Sequence, residues 1–287
     1  MGNEFAPAKI NLSLHITGRR CDGYHLLDSL VVFTDIGDHI WAEPSETYSL
    51  TLVGPHAAGL SVGEDNLVLR AAALLASQNI IRETPTPSVA LHLEKILPIS
   101  AGLGGGSADA AATLRLLTRM WGCSLPTYDE TVKLGADVPV CINPKPQRMT
   151  GIGAQLNLLD HTLPSMGILL VNPNRALSTA LVFHQLSGRE NSPMPAQLPR
   201  FASAQGLCQF LGQMRNDLEP VAVQILPEIN QVIGALQKQK TCLLARMSGS
   251  GATCFGLFPD AEQAQAAQKT IAALAPEWWV RAGRVLG

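Results

Sequence analysis

Residues 98–109 read Pro-Ile-Ser-Ala-Gly-Leu-Gly-Gly-Gly-Ser-Ala-Asp and join a predicted strand, which ends near Leu97, to a predicted helix. Glycine tolerates positive φ angles and leaves room beside the backbone, so several backbone N–H groups of this segment can converge on one anion. The N-terminus of the following helix adds partial positive charge. Residues 98–109, called the glycine-rich segment below, therefore predict a phosphate-binding loop.

Two familiar phosphate-binding motifs are excluded by spacing. A Walker A loop places Gly-Lys-Ser/Thr after its glycines, and the chain contains no such string. The dinucleotide motif G-x-G-x-x-G requires glycine at position 107, which is occupied by Ser107. In the phosphate-binding interpretation the Ser107 hydroxyl contacts a phosphate oxygen or a magnesium ion. In the structural alternative the segment is a tight strand-to-helix turn and Ser107 only caps the helix.

A second cluster of small residues, Ser248-Gly249-Ser250-Gly251-Ala252-Thr253, lies between two apolar predicted strands. Taken alone, this cluster favours a flexible hairpin turn. Taken together with the glycine-rich segment, it predicts the opposite wall of a phosphate pocket.

The rest of the chain mixes strand and helix patterns. Apolar and polar residues alternate over 10–16, which predicts a strand, and the period of two places Lys9 and Asn11 on the same face. We predict an α+β protein with an N-terminal domain over 1–155 and a C-terminal domain over 156–287. Further strands are predicted at 30–33, 48–53, 89–93, 167–171, 242–247 and 253–258. Helices are predicted at 67–77 with Asn66 as the N-terminal cap, from the glycine-rich segment to Gly122, at 227–238 and at 260–275.

Composition narrows the class of protein. Apolar residues make up 46% of the 287 residues and charged residues 15%, with a net charge of −2, which argues against a disordered or nucleic-acid-coating protein. No apolar run approaches the roughly 18 residues of a membrane helix, and no signal-peptide pattern opens the chain. We expect a cytoplasmic protein with six reduced cysteines and small-molecule partners, without nucleic acid or membrane; the pattern leaves the oligomeric state open.

Transfer of a phosphoryl group to an alcohol needs a cation near the phosphates and a carboxylate near the hydroxyl. Lys9 is the candidate cation, and Asp137 is the candidate carboxylate, in an apolar stretch that we expect Pro139 to bend or end. Considered singly, each residue has a simpler interpretation: Lys9 as a solvated lysine at a strand edge, and Asp137 as a turn or helix-end aspartate.

Three segments resemble the signature motifs of the GHMP small-molecule kinases. They are residues 6–12 (Ala-Pro-Ala-Lys-Ile-Asn-Leu), the glycine-rich segment, and residues 248–253. Residues 19–25 and 134–139 narrow the resemblance to members of the family that act on a cytidylyl-linked substrate of the non-mevalonate isoprenoid pathway. The resemblance implies the GHMP kinase fold, in which an S5-like nucleotide-binding domain is followed by a ferredoxin-like C-terminal domain.

The resemblance also implies a set of roles. ATP, with Mg²⁺, would contact Pro98, Ser100, Ala101, Gly102, Leu103, Gly104, Gly105, Gly106, Ser107 and Ala108, with Ser107 as the magnesium ligand. Asp137 would be the general base and Lys9 would stabilise the developing alkoxide. His25 would read the cytosine edge, with Tyr24 and Phe183 on either side of the ring. The other substrate contacts would be Asn11, Ser248, Gly249 and Ser250.

The sequence departs from the family pattern in three places. Ala108 stands where the family often has serine, Ala154 replaces the usual glutamate, and residues 126–134 are short enough to predict a truncated helix. Two other functions remain open. One is a family member with a different acceptor, such as homoserine or mevalonate, which the Tyr24–His25 pair disfavours. The other is a nucleotide sensor without turnover, which the joint presence of Lys9, Ser107 and Asp137 disfavours.

Overall fold

The fold mixes strands and helices, as the sequence predicts. A computed structural model describes residues 2–81 and 86–287. The strands are β1 (Gly2–Arg19), β2 (His25–Pro44), β3 (Ser49–Val53), β4 (Val89–Glu94), β5 (Gln147–Gly151), β6 (Gln155–Leu158), β7 (Gly167–Asn172), β8 (Leu244–Met247), β9 (Cys254–Phe258) and β10 (Trp279–Leu286). The helices are α1 (Leu67–Ile81), α2 (Gly105–Trp121), α3 (Tyr128–Thr131), α4 (Val138–Ile142), α5 (Thr179–Gln185), α6 (Ala204–Gly212), α7 (Glu219–Ile225), α8 (Glu228–Gln237) and α9 (Ala261–Leu274).

The chain divides into two compact units that interleave along the sequence. The first unit takes the described parts of 1–8, 37–99 and 104–144, and the second takes 9–36, 100–103 and 145–287. The domain ranges expected from the sequence, 1–155 and 156–287, are continuous and stay a prediction.

The first unit packs three helices together beside a small sheet. β3 pairs parallel with β4, and β4 pairs antiparallel with residues 39–44 of β2. α2 packs against both α1 and α4. Its apolar face, including Ala111, Leu114 and Leu117, is buried, and Gly122 ends the helix in the left-handed conformation with φ of 63°. The predicted helix after the glycine-rich segment and its predicted stop are confirmed.

The second unit is built on an antiparallel sheet in the order β8-β9-β7-β10. α8 contacts β8 and β9, and α9 contacts β7, β9 and β10. All six residues of β7 are buried, as the apolar pattern at 167–171 predicts. The first half of β2 pairs with β5, and β5 pairs with β6.

Helix starts follow the local chemistry of the sequence. The Asn66 side-chain oxygen accepts a hydrogen bond from the backbone N–H of Val68 at 2.9 Å, which confirms Asn66 as the cap of α1. α3 has only four residues, in line with the truncated helix expected near 126–134. Within residues 2–81 and 86–287, the structure contains no helix that is long and apolar enough to cross a membrane.

Gly167, the first residue of β7, offers a test of the second unit's packing. A Cβ added there would lie 2.0 Å from the backbone oxygen of Asp260, the residue that caps α9. We expect Gly167→Ala to lower the free energy of unfolding by roughly 1–3 kcal/mol, because backbone must move to accept the methyl group. Urea denaturation measures the change.

Gly234→Ala is the matched control, because Gly234 lies inside α8 and an added Cβ there meets no described atom within 4 Å apart from its chain neighbours and the backbone of its own helix. This variant should gain about 0.5–1 kcal/mol from the higher helix propensity of alanine. A Gly167→Ala protein as stable as wild type would contradict the packing of β7 against the start of α9.

Candidate active site

Lys9 and Asn11 lie next to each other on β1 and are both buried, with 4% and 1% of their surface exposed. Lys9 Nζ donates to Asn11 Oδ1 at 3.0 Å, and Asn11 Nδ2 donates to Ser29 Oγ at 2.8 Å. Ser29 Oγ in turn donates to the Ser13 carbonyl at 2.6 Å, so the direction of each bond in the chain is set. The solvated strand-edge lysine of the simpler interpretation is therefore wrong.

Residues 248–253 join β8 to β9, and residues 248–251 form the turn. Ser248 Oγ accepts from the Asn11 backbone N–H at 3.2 Å and donates to the Gly102 carbonyl at 3.1 Å. The Ser250 hydroxyl lies 2.7 Å from the Thr179 hydroxyl. Both serine side chains thus hold the turn in place against β1, the glycine-rich segment and α5. The cluster is therefore a hairpin turn, as its local pattern indicates, and side-chain hydrogen bonds hold it in place.

Residues 100–103 of the glycine-rich segment pack directly on this turn. The Thr253 N–H donates to the Ala101 carbonyl at 3.1 Å, and the Lys9 N–H donates to the Leu103 carbonyl at 2.9 Å. Gly102 has a φ of 73°, and a Cβ there would lie 2.4 Å from the Ser248 carbonyl oxygen. Only glycine fits this position, because the two backbones touch. The two glycine-rich clusters therefore meet.

Asn216 is a residue of this region that the sequence analysis missed. Its Nδ2 donates to the carbonyls of Met247 at 2.9 Å and Gly249 at 2.8 Å, and its Oδ1 accepts from the Leu218 N–H at 3.0 Å. The side chain is 4% exposed, and residue 216 forms a parallel bridge to Leu14 of β1. Asn216 therefore ties the 248–251 turn to the strand that carries Lys9.

The remaining part of the glycine-rich segment starts α2 in the first unit. Gly104 precedes the helix with φ of 63°, and the Ala108 N–H donates to the Gly104 carbonyl at 2.8 Å. Ser107 thus lies inside the first turn, and Gly104 rather than Ser107 occupies the cap position. The first N–H groups of a helix have no carbonyl partner within the helix. With the helix dipole, this turn suits an anion.

Asp137 immediately precedes α4, also in the first unit. Pro139 lies in the first turn of α4, where its missing N–H costs nothing, so the expectation that Pro139 bends or ends the stretch is wrong. The Val138 N–H donates to the Gly135 carbonyl at 3.0 Å. A Cβ at Gly135 would lie 3.7 Å from Ser107 Oγ, so the loop that carries Asp137 runs beside the first turn of α2.

A histidine–phenylalanine pair lies in the second unit. The rings of His25 and Phe183 have centroids 5.0 Å apart and planes tilted by 36°. Within the described part of the chain, His25 Nε2 is buried and has no hydrogen-bond partner. Burial lowers the pKa of His25, with Arg19 and Arg189 acting in the same direction, so the imidazole is neutral at pH 7. Tyr24 beside it is 62% exposed.

Each unit carries groups whose chemistry points to a function. Three of these groups are of the kind that binds phosphates: the hydrogen-bonded glycine turn at 248–251, the buried ammonium of Lys9, and the first turn of α2 with its unpaired helical N–H groups. A neutral imidazole with an unused nitrogen beside an aromatic ring suits a flat, polar heterocycle.

Comparisons with known proteins agree with this geometry. The family model for the GHMP kinases N terminal domain matches residues 66–146, and the model for GHMP kinases C terminal matches 197–276. A 4-diphosphocytidyl-2-C-methyl-D-erythritol kinase of Cereibacter sphaeroides is 52% identical over 287 residues, covering 100% of both chains. One of Ruegeria pomeroyi is 52% identical over 284 residues, covering 98% of each chain.

A solved structure shows the same fold. The crystal structure of a 4-(cytidine 5'-diphospho)-2C-methyl-D-erythritol kinase superposes with a TM-score of 0.81 at 29% identity, covering 99% of each chain. The sequence relatives and the fold agree over the full length. The chain belongs to the GHMP kinases and, among them, to the 4-diphosphocytidyl-2-C-methyl-D-erythritol kinase family.

Proposed function

We propose that the protein transfers the γ-phosphoryl group of ATP to the 2-hydroxyl of 4-diphosphocytidyl-2-C-methyl-D-erythritol, giving the 2-phosphate and ADP. The observation that carries the proposal is the buried Lys9 ammonium, held by Asn11 where the two glycine-rich clusters meet. Phosphoryl transfer depends on placing positive charge where the phosphates bind. The names of the full-length relatives supply the identity of the acceptor.

The ATP phosphates would lie along the glycine-rich segment. Backbone N–H groups of Gly105, Gly106 and Ser107 begin α2 and are free of helical partners, so they can donate to phosphate oxygens. Residues 100–103 of the segment pack on the turn of residues 248–251. Ala108, where the family often has serine, offers no hydroxyl, so the backbone and Ser107 would provide the contacts.

A magnesium ion is part of the proposal, carried by the nucleotide. The described residues hold no group of three or more His, Cys, Asp or Glu side chains arranged to bind a metal. The ion would therefore take most of its ligands from phosphate oxygens and water, as nucleotide-bound magnesium commonly does. The Ser107 hydroxyl is an oxygen ligand of the right type. When bound, the ion offsets the negative charge of the phosphates.

Proton transfer is assigned to Asp137 and charge stabilisation to Lys9. Asp137 would accept the proton of the 2-hydroxyl, and the Lys9 ammonium would stabilise the oxygen as it gains negative charge. Lys9 is restrained by its bond to Asn11, so little reorganisation is needed when that charge develops. Asn11 would contact the same part of the substrate.

The cytidylyl end of the substrate would be recognised at His25 and Phe183. The unused Nε2 of a neutral His25 can exchange a hydrogen bond with the cytosine edge, and Phe183 can stack on its ring. Tyr24, largely exposed, would cover the other face of the ring. Ser248, Gly249 and Ser250 would line the pocket through their backbone, since both serine hydroxyls are engaged within the protein.

The proposal places the protein in the cytoplasm, where ATP is supplied, with small molecules as its partners.

An acceptor assay tests the proposed reaction. Purified protein is given ATP, magnesium and either the cytidylyl substrate, homoserine or mevalonate, and ADP release is followed. We expect turnover with the cytidylyl substrate alone. Turnover only with homoserine or mevalonate would reassign the acceptor, and no turnover with any of them would favour a nucleotide sensor.

Asp137→Asn tests the general base. The variant keeps the shape of the side chain but accepts a proton far less readily, so we expect kcat to fall by roughly 10²–10⁴-fold with the KM for ATP nearly unchanged. Asp129→Asn, an exposed change on α3 in the same unit, is the control and should behave as wild type. Steady-state kinetics measure both, and near-normal turnover by Asp137→Asn would remove Asp137 from the mechanism.

His25→Ala tests base recognition. Loss of a hydrogen bond and a ring contact should raise the KM for the cytidylyl substrate by about tenfold, while the KM for ATP stays near the wild-type value. His92→Ala, which removes a histidine ring from β4 in the other unit, serves as the control. Equal rises in both KM values for His25→Ala would contradict the assignment.

A further inference from the structure

Three charged side chains are buried together in the first unit: Lys95, Asp38 and Asp109, with 3%, 0% and 3% exposed. Lys95 Nζ donates to Asp109 Oδ2 at 2.8 Å and forms an ion pair with Asp38 Oδ2. Removing charges from water costs several kcal/mol for each ion, and well-packed apolar residues often serve stability as well or better. The cluster therefore calls for an explanation other than stability.

The cluster lies at both ends of the glycine-rich segment. Asp38 Oδ1 accepts from the backbone N–H groups of Ile96 at 2.6 Å and Leu97 at 2.8 Å, directly before the segment begins. Asp109 is the last residue of the segment. Lys95 pairs with both carboxylates, so one ammonium links the N-terminal end of the glycine-rich segment to its C-terminal end.

Lys95 also lies against the first turn of α2. A Cβ added at Gly105 would come within 3.1 Å of Lys95 Nζ. Burial by itself lowers the pKa of Lys95, but the carboxylates of Asp109 and Asp38 outweigh this effect and raise the pKa overall. Lys95 therefore stays protonated. Burial raises the pKa of Asp109 to about 7. The negative charge of Asp38 adds to this rise, and the positive charge of Lys95 opposes it. Within the described residues, Asp109 Oδ1 has no partner.

We propose that Lys95, Asp38 and Asp109 are positioning residues for ATP: they fix the two ends of the glycine-rich segment so that its N–H groups face the phosphates. This proposal rests on the proposed binding of ATP by that segment. Hydrogen bonds to charged groups are short and directional, which suits a device that sets geometry. An apolar cluster of equal volume would fill the space without fixing where the segment starts and ends.

Lys95→Met/Asp38→Asn is the informative variant, because it removes the ammonium and one carboxylate together. Without the lowering effect of Lys95, burial keeps the remaining carboxyl of Asp109 protonated and neutral at pH 7, so no buried charge is left unpaired. The asparagine oxygen can still accept from Ile96 and Leu97. We expect the Kd for a magnesium complex of a non-hydrolysable ATP analogue, measured by calorimetry, to rise at least about tenfold. The KM for the cytidylyl substrate should change by less than about threefold, and the thermal unfolding midpoint should stay near that of wild type.

Arg115→Met/Glu4→Gln removes another ion pair of the same unit and is the matched control. Arg115 also donates to the Cys141 and Phe5 carbonyls, so this control should lose stability without weakening analogue binding. Asp109→Asn, which keeps an acceptor for Lys95, should bind the analogue nearly as wild type does, whereas Asp109→Leu should bind it more weakly. The single Asp109 variants carry the test if the paired variant does not fold.

The outcomes separate this proposal from the proposed function. Wild-type protein that does not bind the analogue would overturn ATP binding itself. Wild-type binding with an equal Kd in Lys95→Met/Asp38→Asn, or equal weakening in that variant and the Arg115→Met/Glu4→Gln control, would overturn the positioning role alone.

Discussion

The contact between Gly102 and the turn of residues 248–251 is the constraint on which the candidate site depends. A side chain at Gly102 would collide with the Ser248 carbonyl, and one at Gly249 would lie 3.0 Å from the Gly102 carbonyl. Both clusters are therefore glycine-rich partly because their backbones pack against each other. In the proposed function, the phosphates bind beside a surface that this packing has already shaped.

Polar side chains hold this contact in place from within the second unit. Ser248 bridges Asn11 and Gly102, and Asn216 holds two carbonyls of the turn. Because buried polar groups are costly when unpaired, each of these bonds restricts the position of its neighbours. Lys9 stands at the end of the same network. A restrained ammonium beside a rigid turn is better suited to transition-state charge than a mobile surface lysine.

Local pattern predicted a large part of the fold, because strand alternation and helix caps are properties of neighbouring residues. For that reason the sequence predicted the strand at 10–16, the helix cap at Asn66 and the helix end at Gly122. β10 escaped prediction because Arg281 and Arg284 interrupt its apolar pattern. Asn216 and Lys95 escaped because a single polar residue gives no sign of burial. The proposed roles of Lys9, Asp137 and His25 came from family resemblance, since the local sequence does not show which distant residues lie together.

The ³¹P NMR spectrum of the product tests whether the phosphoryl group is transferred to the 2-hydroxyl. The carbon that carries the 2-hydroxyl also carries the methyl group and has no hydrogen. A phosphate on that oxygen therefore has no proton three bonds away, and the new monoester signal should be a singlet in the proton-coupled spectrum. A doublet or triplet would show phosphate on the oxygen of a CH or CH₂ carbon. That result, or release of inorganic phosphate alone, would contradict transfer to the 2-hydroxyl.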